Sequence, residues 1–364
     1  MGPLRSWRPS PNEPLSRSTP SLHGRNKSVI PFSVSNRPAN LPPQGLVPGR
    51  CGCPATPFAP PRTRRARKVP EKGAVLFATI LDVVIGGLIM GGIYALIAVG
   101  LSLQYGVGRV LNISHGEFIM IGAFATWTLY TFLGISPLLS LVICGPVLFC
   151  VGFLIHRTLF RYLRKKSKSP AAFADSSLLV SFGLLFIIQN IALIIWKADI
   201  RGYTYLDQSV SIFGALFAAN RVVALIFAVG ISIAFYLFLT RARLGKAIRA
   251  AAEDPTTAQI MGVNIHRVLA VCFGLGALMA GFAGPLISMI YEMQPSMGLE
   301  YTIIAIVVVV LGGLGSITGS LIGGFILGLI GSIVMYFDVG LSLIAYYVIF
   351  ILLILIKPTG ILGK

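Results

Sequence analysis

Four polar side chains crowd into an otherwise apolar stretch, in the run Asn112-Ile113-Ser114-His115-Gly116-Glu117-Phe118. Ionisable groups at membrane depth are costly and mark functional positions by default. His115 and Glu117 are therefore candidates to line a translocation path or to pair with each other. The alternative is an interfacial turn in which Asn112 or Ser114 caps the next helix. H-x-E spacing also occurs in zinc hydrolases, but no second ligand set accompanies it, so no catalytic residue and no metal site is expected. Asp82 and Glu292 are further isolated acids. Cys51 and Cys53 form a lone C-x-C with His23 as the nearby imidazole, short of the four ligands that structural zinc takes. Cys144, Cys150 and Cys272 lie in apolar segments and read as packing residues.

A second cluster lies in residues 241–267. Leu244, Ala247, Ile248 and Ala251 share one helical face, and Lys246, Arg249 and Glu253 another. Asp254 followed by Pro255 caps and starts a second short helix carrying Ala258 and Met261, and Gly262 stops it. A helix–turn–helix with small residues at a membrane surface is a shape that docks into a partner's groove. The plainer reading is an amphipathic interfacial loop.

The elements that must hold these residues are helices in a bilayer. The chain is 55% hydrophobic and 12% charged, with mean hydropathy +0.83; a soluble domain carries about 25% charged residues. That excludes a soluble globular fold. The composition is also divided. Residues 1–72 hold 13 Lys or Arg, 2 acids and 15 of the 22 prolines. They are expected to be a disordered basic arm, either an appendage or a stretch translated from an upstream start. Its basic run Arg62–Lys68 suits attraction to anionic lipid. The arm is acid-poor and holds eight serines, as transit peptides do, but its prolines oppose the helix those need. Trp7, Phe32 and Phe58 do not interleave with its basic residues, so no nucleic-acid partner is expected.

Residues 73–364 are expected to form an all-α, polytopic transmembrane helical bundle. About 20 apolar residues make a span. Candidates lie at 75–103, 117–134, 138–156, 177–196, 222–240, 268–290, 301–317, 318–336 and 340–356. That gives about eight or nine membrane segments, some broken or re-entrant. The basic loops 157–168 and 241–267, and the C-terminus with Lys357 and Lys364, are expected to be cytoplasmic; 197–221 and 291–300 should lie outside. Three crossings between 75 and 156 would put the basic arm outside, so either one segment is re-entrant or the arm is no topological signal. Small residues recur every fourth position at Gly87, Gly91 and Ala95 and at Gly315, Gly319 and Gly323, which lets helix backbones approach. Gly312-Gly313-Leu314-Gly315-Ser316 also suggests a broken helix of the kind that lines transporter paths.

Four motifs together resemble the permease subunits of branched-chain amino acid ABC importers of the LivH type. They are Gly91-Gly92-Ile93-Tyr94-Ala95-Leu96-Ile97-Ala98-Val99-Gly100, the N-x-x-H-G-E run Asn112–Glu117, the loop Gly245–Asn264, and Leu311–Ser316 with Pro358-Thr359-Gly360-Ile361-Leu362-Gly363. The resemblance covers about residues 75–363 and leaves the arm without a counterpart. It implies a pair with a second homologous permease, two cytoplasmic ATPase subunits, an extracytoplasmic substrate-binding protein, and a location in the inner or plasma membrane. No G-x-x-x-x-G-K-[ST] occurs in the chain, so ATP is expected to be used by partners and no cofactor to be bound directly. The loop through Gly245, Arg249, Glu253, Asp254, Ala258 and Gly262 would then be the ATPase-coupling loop. The glycine-broken segments near 86–92 and 312–324, with 112–118, would form the path. Its candidates are Gly91, Gly92, Tyr94, Asn112, Ser114, His115, Glu117, Gly312, Gly313 and Gly315. The substrates implied are leucine, isoleucine and valine, or related small amino acids and amides. The competing reading is a self-contained secondary carrier or channel for a small polar solute, with Asp82, His115 and Glu117 as coupling residues.

Overall fold

The computed structural model describes residues 72–212, 215–338, 340–357 and 359–362. The expectations for the arm, its basic run and its cysteines lie outside the described residues, as do Pro358, Gly363 and Lys364. Seven helices are long and apolar enough to cross a membrane, and two shorter apolar helices accompany them. The chain is a multi-pass helical membrane protein.

The first helix, α1 (Lys72–Gly108), is followed by α2 (His115–Leu133) and α3 (Pro137–Ile155). A π-helical turn at His156–Phe160 leads into α4 (Arg161–Lys166), and then α5 (Pro170–Trp196) returns the chain. Ser136 and Ser169 cap α3 and α5, each with proline at the start of the helix, where a missing N–H costs nothing. A small antiparallel pair, β1 (Ser209–Ile212) and β2 (Ala215–Ala218), has Ser209 opposite Ala218. It precedes α6 (Ala219–Arg241), α7 (Arg243–Glu253) and α8 (Pro255–Ile260). The last four helices are α9 (Ile265–Ser288), α10 (Met297–Gly312), α11 (Ile317–Phe337) and α12 (Leu341–Ile356).

Glycine sets how closely these helices pack. A Cβ at Gly91 would stand 2.8 Å from the Phe325 Cα, and one at Gly87 2.8 Å from the Leu329 Cα. α1 therefore lies backbone to backbone along α11, running antiparallel to it. It also runs unbroken from Lys72 to Gly108, so the expected break near 86–92 does not exist. In a bilayer the helix keeps its own hydrogen bonds, and these glycines serve packing instead. α3 packs along α9 in the same manner, with Gly281 against the Cys144 carbonyl and Leu148.

The two arrangements are one motif used twice in opposite directions. α3 packs on α9 as α11 packs on α1, α2 packs on α9 as α10 packs on α1, and α1 crosses α9 at the middle. Gly100 marks that crossing, where a Cβ would be 2.9 Å from the Gly276 carbonyl. Inverted repeats of this kind carry their substrate paths near the repeat interface.

One end of the bundle gathers α4, α7, α8, the 313–316 hairpin and residues 359–362. Arg164 reaches the Gly108 carbonyl there at 2.9 Å. Gly106 lies against Gly315, and Arg157 and Arg161 share a cavity wall with Arg267. The other end holds 197–218 and 289–296, which meet in a backbone bridge between Arg201 and Met293. Large apolar side chains such as Leu179, Ile194 and Leu355 point outward from the bundle, as lipid contact requires.

Candidate functional site

The polar run at 109–114 is a reversal inside the bundle. Arg109 adopts a left-handed φ of 54° as the chain leaves α1. Asn112 then organises the turn. Its Oδ1 accepts from Ser114 N at 3.2 Å and Ser114 Oγ at 2.7 Å. Its Nδ2 donates to Gln104 Oε1 at 3.2 Å, and Gln104 Nε2 donates to the Phe273 carbonyl at 3.1 Å. The turn is thereby tied to α1 and α9. Asn112, Ser114, His115 and Glu117 are all fully buried.

α2 begins deep in the bundle. His115 Nε2 donates to the Ile97 carbonyl at 3.2 Å, and Ile97 lies 11 residues, or about 16 Å, back along α1 from Gly108. α10 begins at the same level, because Gly298 in its first turn touches Gly116 and Glu117. The two re-entrant starts meet side by side. The cap on α2 comes from outside the helix. Ser114 makes no side-chain cap bond; instead Thr302 Oγ1 of α10 accepts from Gly116 N at 2.8 Å and donates to the Ile113 carbonyl at 3.0 Å. A side chain at Gly116 would collide with the Gly298 carbonyl and Thr302 Oγ1.

His115 and Glu117 do not pair. Two residues apart on a helix, they face different directions. His115 turns to α1, and its Nδ1 has no partner among the described residues. Neither carboxylate oxygen of Glu117 has a partner there either. The carboxyl packs against Gly298, where a Cβ would lie 2.5 Å from its Cδ. It occupies the first turn of α2 beside the first turn of α10, so the positive ends of two helix dipoles face it. A buried carboxylate with no hydrogen bond is costly and marks a site kept for another purpose.

The glycine candidates separate by place. Gly91 abuts α11 and Gly92 abuts Leu225 of α6. Tyr94 meets Tyr346 of α12, hydroxyl to hydroxyl at 3.3 Å. Gly312, Gly313 and Gly315 form the tight hairpin between α10 and α11. Gly313 has φ 105° and Gly315 φ 85°, which a side chain would strain. The tail closes this hairpin: Ile361 N donates to the Leu311 carbonyl at 2.9 Å and Leu362 N to the Gly312 carbonyl at 3.1 Å. Those carbonyls are the unpaired end of α10.

α7 and α8 form the expected helix–turn–helix. Gly245 seats α7 on the end of α6, since a Cβ would lie 2.5 Å from the Phe238 and Leu239 carbonyls. Arg249 donates to the Thr240 carbonyl at 3.2 Å. Ile248, Ala251 and Ala258 are buried. Leu244, in the first turn of α7, is partly exposed, while Ile248 and Ala251 of the same face are buried. Asp254 accepts from Thr256 N at 2.9 Å and from the Thr257 hydroxyl. The hydroxyl first, then the backbone N–H, hold its carboxyl below the ordinary carboxylate range. Gly262 ends the unit with φ 85°. What projects outward is Glu253 with two large apolar residues, Ile260 at 81% and Met261 at 79% exposure. Ile260 was not singled out from the sequence, because only the seating of Ala258 fixes which way α8 turns.

A cavity of about 600 Å³ opens between the end of α1, α6, α7, the 313–316 hairpin and Leu362, and Arg109, Arg249 and Glu253 line it. Among the described residues no three His, Cys, Asp or Glu side chains gather as a metal site would need.

The family described as "Branched-chain amino acid transport system / permease component" matches residues 83–357. The high-affinity branched-chain amino acid transport system permease protein BraD of Pseudomonas aeruginosa is 32% identical over 301 residues, covering 78% of this chain and 96% of that one. The corresponding LivH of Escherichia coli K12 is 32% identical over 305 residues, covering 79% of this chain and 97% of that one. No solved structure matches the chain.

Proposed function

The chain belongs to the permease components of branched-chain amino acid transport systems, and on that premise we propose that it is the membrane subunit of an ATP-driven importer for leucine, isoleucine, valine or related small amino acids. It is a transport permease, not an enzyme. In this reading it pairs with a second permease, takes substrate from an extracytoplasmic binding protein and is driven by two ATPases on the cytoplasmic side. The end bearing α4, α7, α8 and residues 359–362 faces the cytoplasm, in keeping with its Lys and Arg residues.

The observation that carries the coupling is the outward face of α7–α8. Ile260 and Met261 stand out at 81% and 79% exposure, while Ile248, Ala251 and Ala258 of the same unit are buried and Leu244 is only partly exposed. Exposed apolar side chains beside an acid suit a groove on a partner. Closure of the ATPases would pull α8, α7 would transmit the pull through Arg249 and Gly245 to α6, and α6 would move against α1 at Gly92. The repeats would then rock about the α1–α9 crossing. Of the path candidates expected from the sequence, Asn112, Ser114, His115 and Glu117 gather where α2 and α10 meet and would form its centre, whereas Gly91 and Gly92 pack helices.

The test is leucine uptake by cells that lack their own system and carry this chain with its partner subunits. Met261→Asp with Ile260→Asp is expected to lower uptake at least tenfold while the permease stays in the membrane. Wild-type uptake by that variant would overturn the docking role. Uptake that survives an inactive ATPase but is lost in Glu117→Gln would carry the secondary-carrier reading instead.

A further inference from the structure

A second, smaller cavity lies at the end of the bundle away from the coupling loop. It has a volume of about 260 Å³, between residues 82–90 of α1, the start of α6, residues 290–291 and the end of α11. Two charged residues line it, Asp82 on α1 and Arg221 on α6. Both are exposed, and neither side chain has an ion-pair or hydrogen-bond partner among the described residues. Two of the three hydroxyls that line it, all but that of Tyr336, are already engaged. Ser332 Oγ donates to the Val83 carbonyl at 2.7 Å and Tyr291 OH to Met90 Sδ at 3.1 Å. The rest of the wall is largely apolar, including Ile89, Phe217 and Ile290. One free anion and one free cation thus face a chamber otherwise suited to hydrocarbon.

We propose that this cavity binds a zwitterionic α-amino acid with an aliphatic side chain. Asp82 takes the ammonium group, Arg221 the carboxylate, and the wall of Ile89, Phe217 and Ile290 the side chain. Arginine presents a planar fork that matches a carboxylate with two hydrogen bonds, and an ionised aspartate only accepts, as an ammonium requires. The pair also discriminates. A ligand with one charge makes only one of the two charged contacts, so it binds more weakly than the zwitterion. The inner cavity differs, since it carries two arginines to one acid and Arg249 is already bonded to the Thr240 carbonyl. The proposal rests on the amino acid transport reading and adds a substrate site on this chain itself, in front of the buried centre at Glu117.

The experiment uses the full chain in lipid nanodiscs and saturation-transfer NMR with L-leucine as the probe. Competitors are 4-methylpentanoate, which lacks the ammonium, and 3-methylbutylamine, which lacks the carboxylate. Leucine is expected to bind, with each competitor at least tenfold weaker. Asp82→Asn should erase the disadvantage of 4-methylpentanoate alone, and Arg221→Gln that of 3-methylbutylamine alone. Asp82→Glu and Arg221→Lys should keep leucine preferred, and thermal melting of every variant separates loss of binding from loss of fold. The proposal is overturned if leucine gives no transfer, if the order of ligands is unchanged in folded variants, or if Arg109→Gln rather than Arg221→Gln changes it. Leucine uptake by the assembled system is measured in parallel. Uptake without nanodisc binding sinks the site and leaves the transport reading standing. Binding without uptake keeps the site and sinks the transport reading.

Discussion

Gly116 and Thr302 are the residues on which the buried centre depends. Gly116 has no room for a methyl group against Gly298 and Thr302, so Gly116→Ala should destabilise the purified permease by about 1–3 kcal/mol, the usual cost of overpacking. The drop in melting temperature in detergent is the measurement. Thr302→Val keeps the shape but leaves the Gly116 N–H without its acceptor, a loss of about 1–3 kcal/mol for a buried donor. Glu117→Gln keeps the size of the side chain, so folding should be retained while transport changes. Asp254 allows a prediction in pH. Hydrogen bonds lower its carboxyl in the folded state, so its capping contribution is full above the ordinary carboxylate range and is lost as pH falls through the lower folded value. Exchange of the Thr256 amide, corrected for its intrinsic rate, should stay slow through mildly acidic pH in the wild type and be fast in Asp254→Ala at every pH. Equal protection in both would remove the cap from the account.

Elements that look alike in sequence behave differently in place. Gly91 and Gly328 sit where α1 and α11 touch, whereas Gly183 on α5 and Gly230 on α6 have nothing within 4 Å of a built Cβ. Gly91→Val should therefore disrupt packing and lower the amount of folded permease severalfold, while Gly183→Val and Gly230→Val should leave it near wild type. Fluorescence size-exclusion of tagged chains would read this directly. Glycine spacing announced close packing but not which rows face a neighbour, because that depends on how each helix is rotated. The same holds for Gly315, Gly319 and Gly323: Gly319 and Gly323 in fact abut α10, with Gly319 against Gly312. The helix–turn–helix at 243–260 was legible almost to the residue, since Asp254, Pro255 and Gly262 are local signals that act within a turn or two. The α2 cap was not legible, because its donor and acceptor are 186 residues apart.

At the scale of the whole molecule, two inverted units share one crossing and place two re-entrant helix starts at its centre. Residues 83–357 carry the family match and α1 begins at Lys72. We propose that the arm lies outside the working unit. Removal of residues 2–72 should leave leucine uptake within about twofold of the full chain, and loss of membrane insertion in that deletion would assign the arm a role. α1, α2 with the turn before it, and α3 each run between the two ends of the bundle, so none of the expected segments before residue 156 turns back to the end it came from. α2 returns the chain to the far end of the bundle but starts in its interior, and hydropathy reports how apolar a segment is, not where along the bundle it begins. The sequence alone determined the class, the apolar segments, the charged loops, the helix–turn–helix at 243–260 and the family, because each rests on composition or on residues close in the chain. The tertiary structure alone decided that His115 and Glu117 stand apart, that Gly298 and Thr302 complete their surroundings, and that Asp82 and Arg221 face one chamber. The first follows once α2 is known to begin at His115; the other two depend on groups more than a hundred residues apart, which only the packing of α2 on α10 and of α1 on α6 brings together.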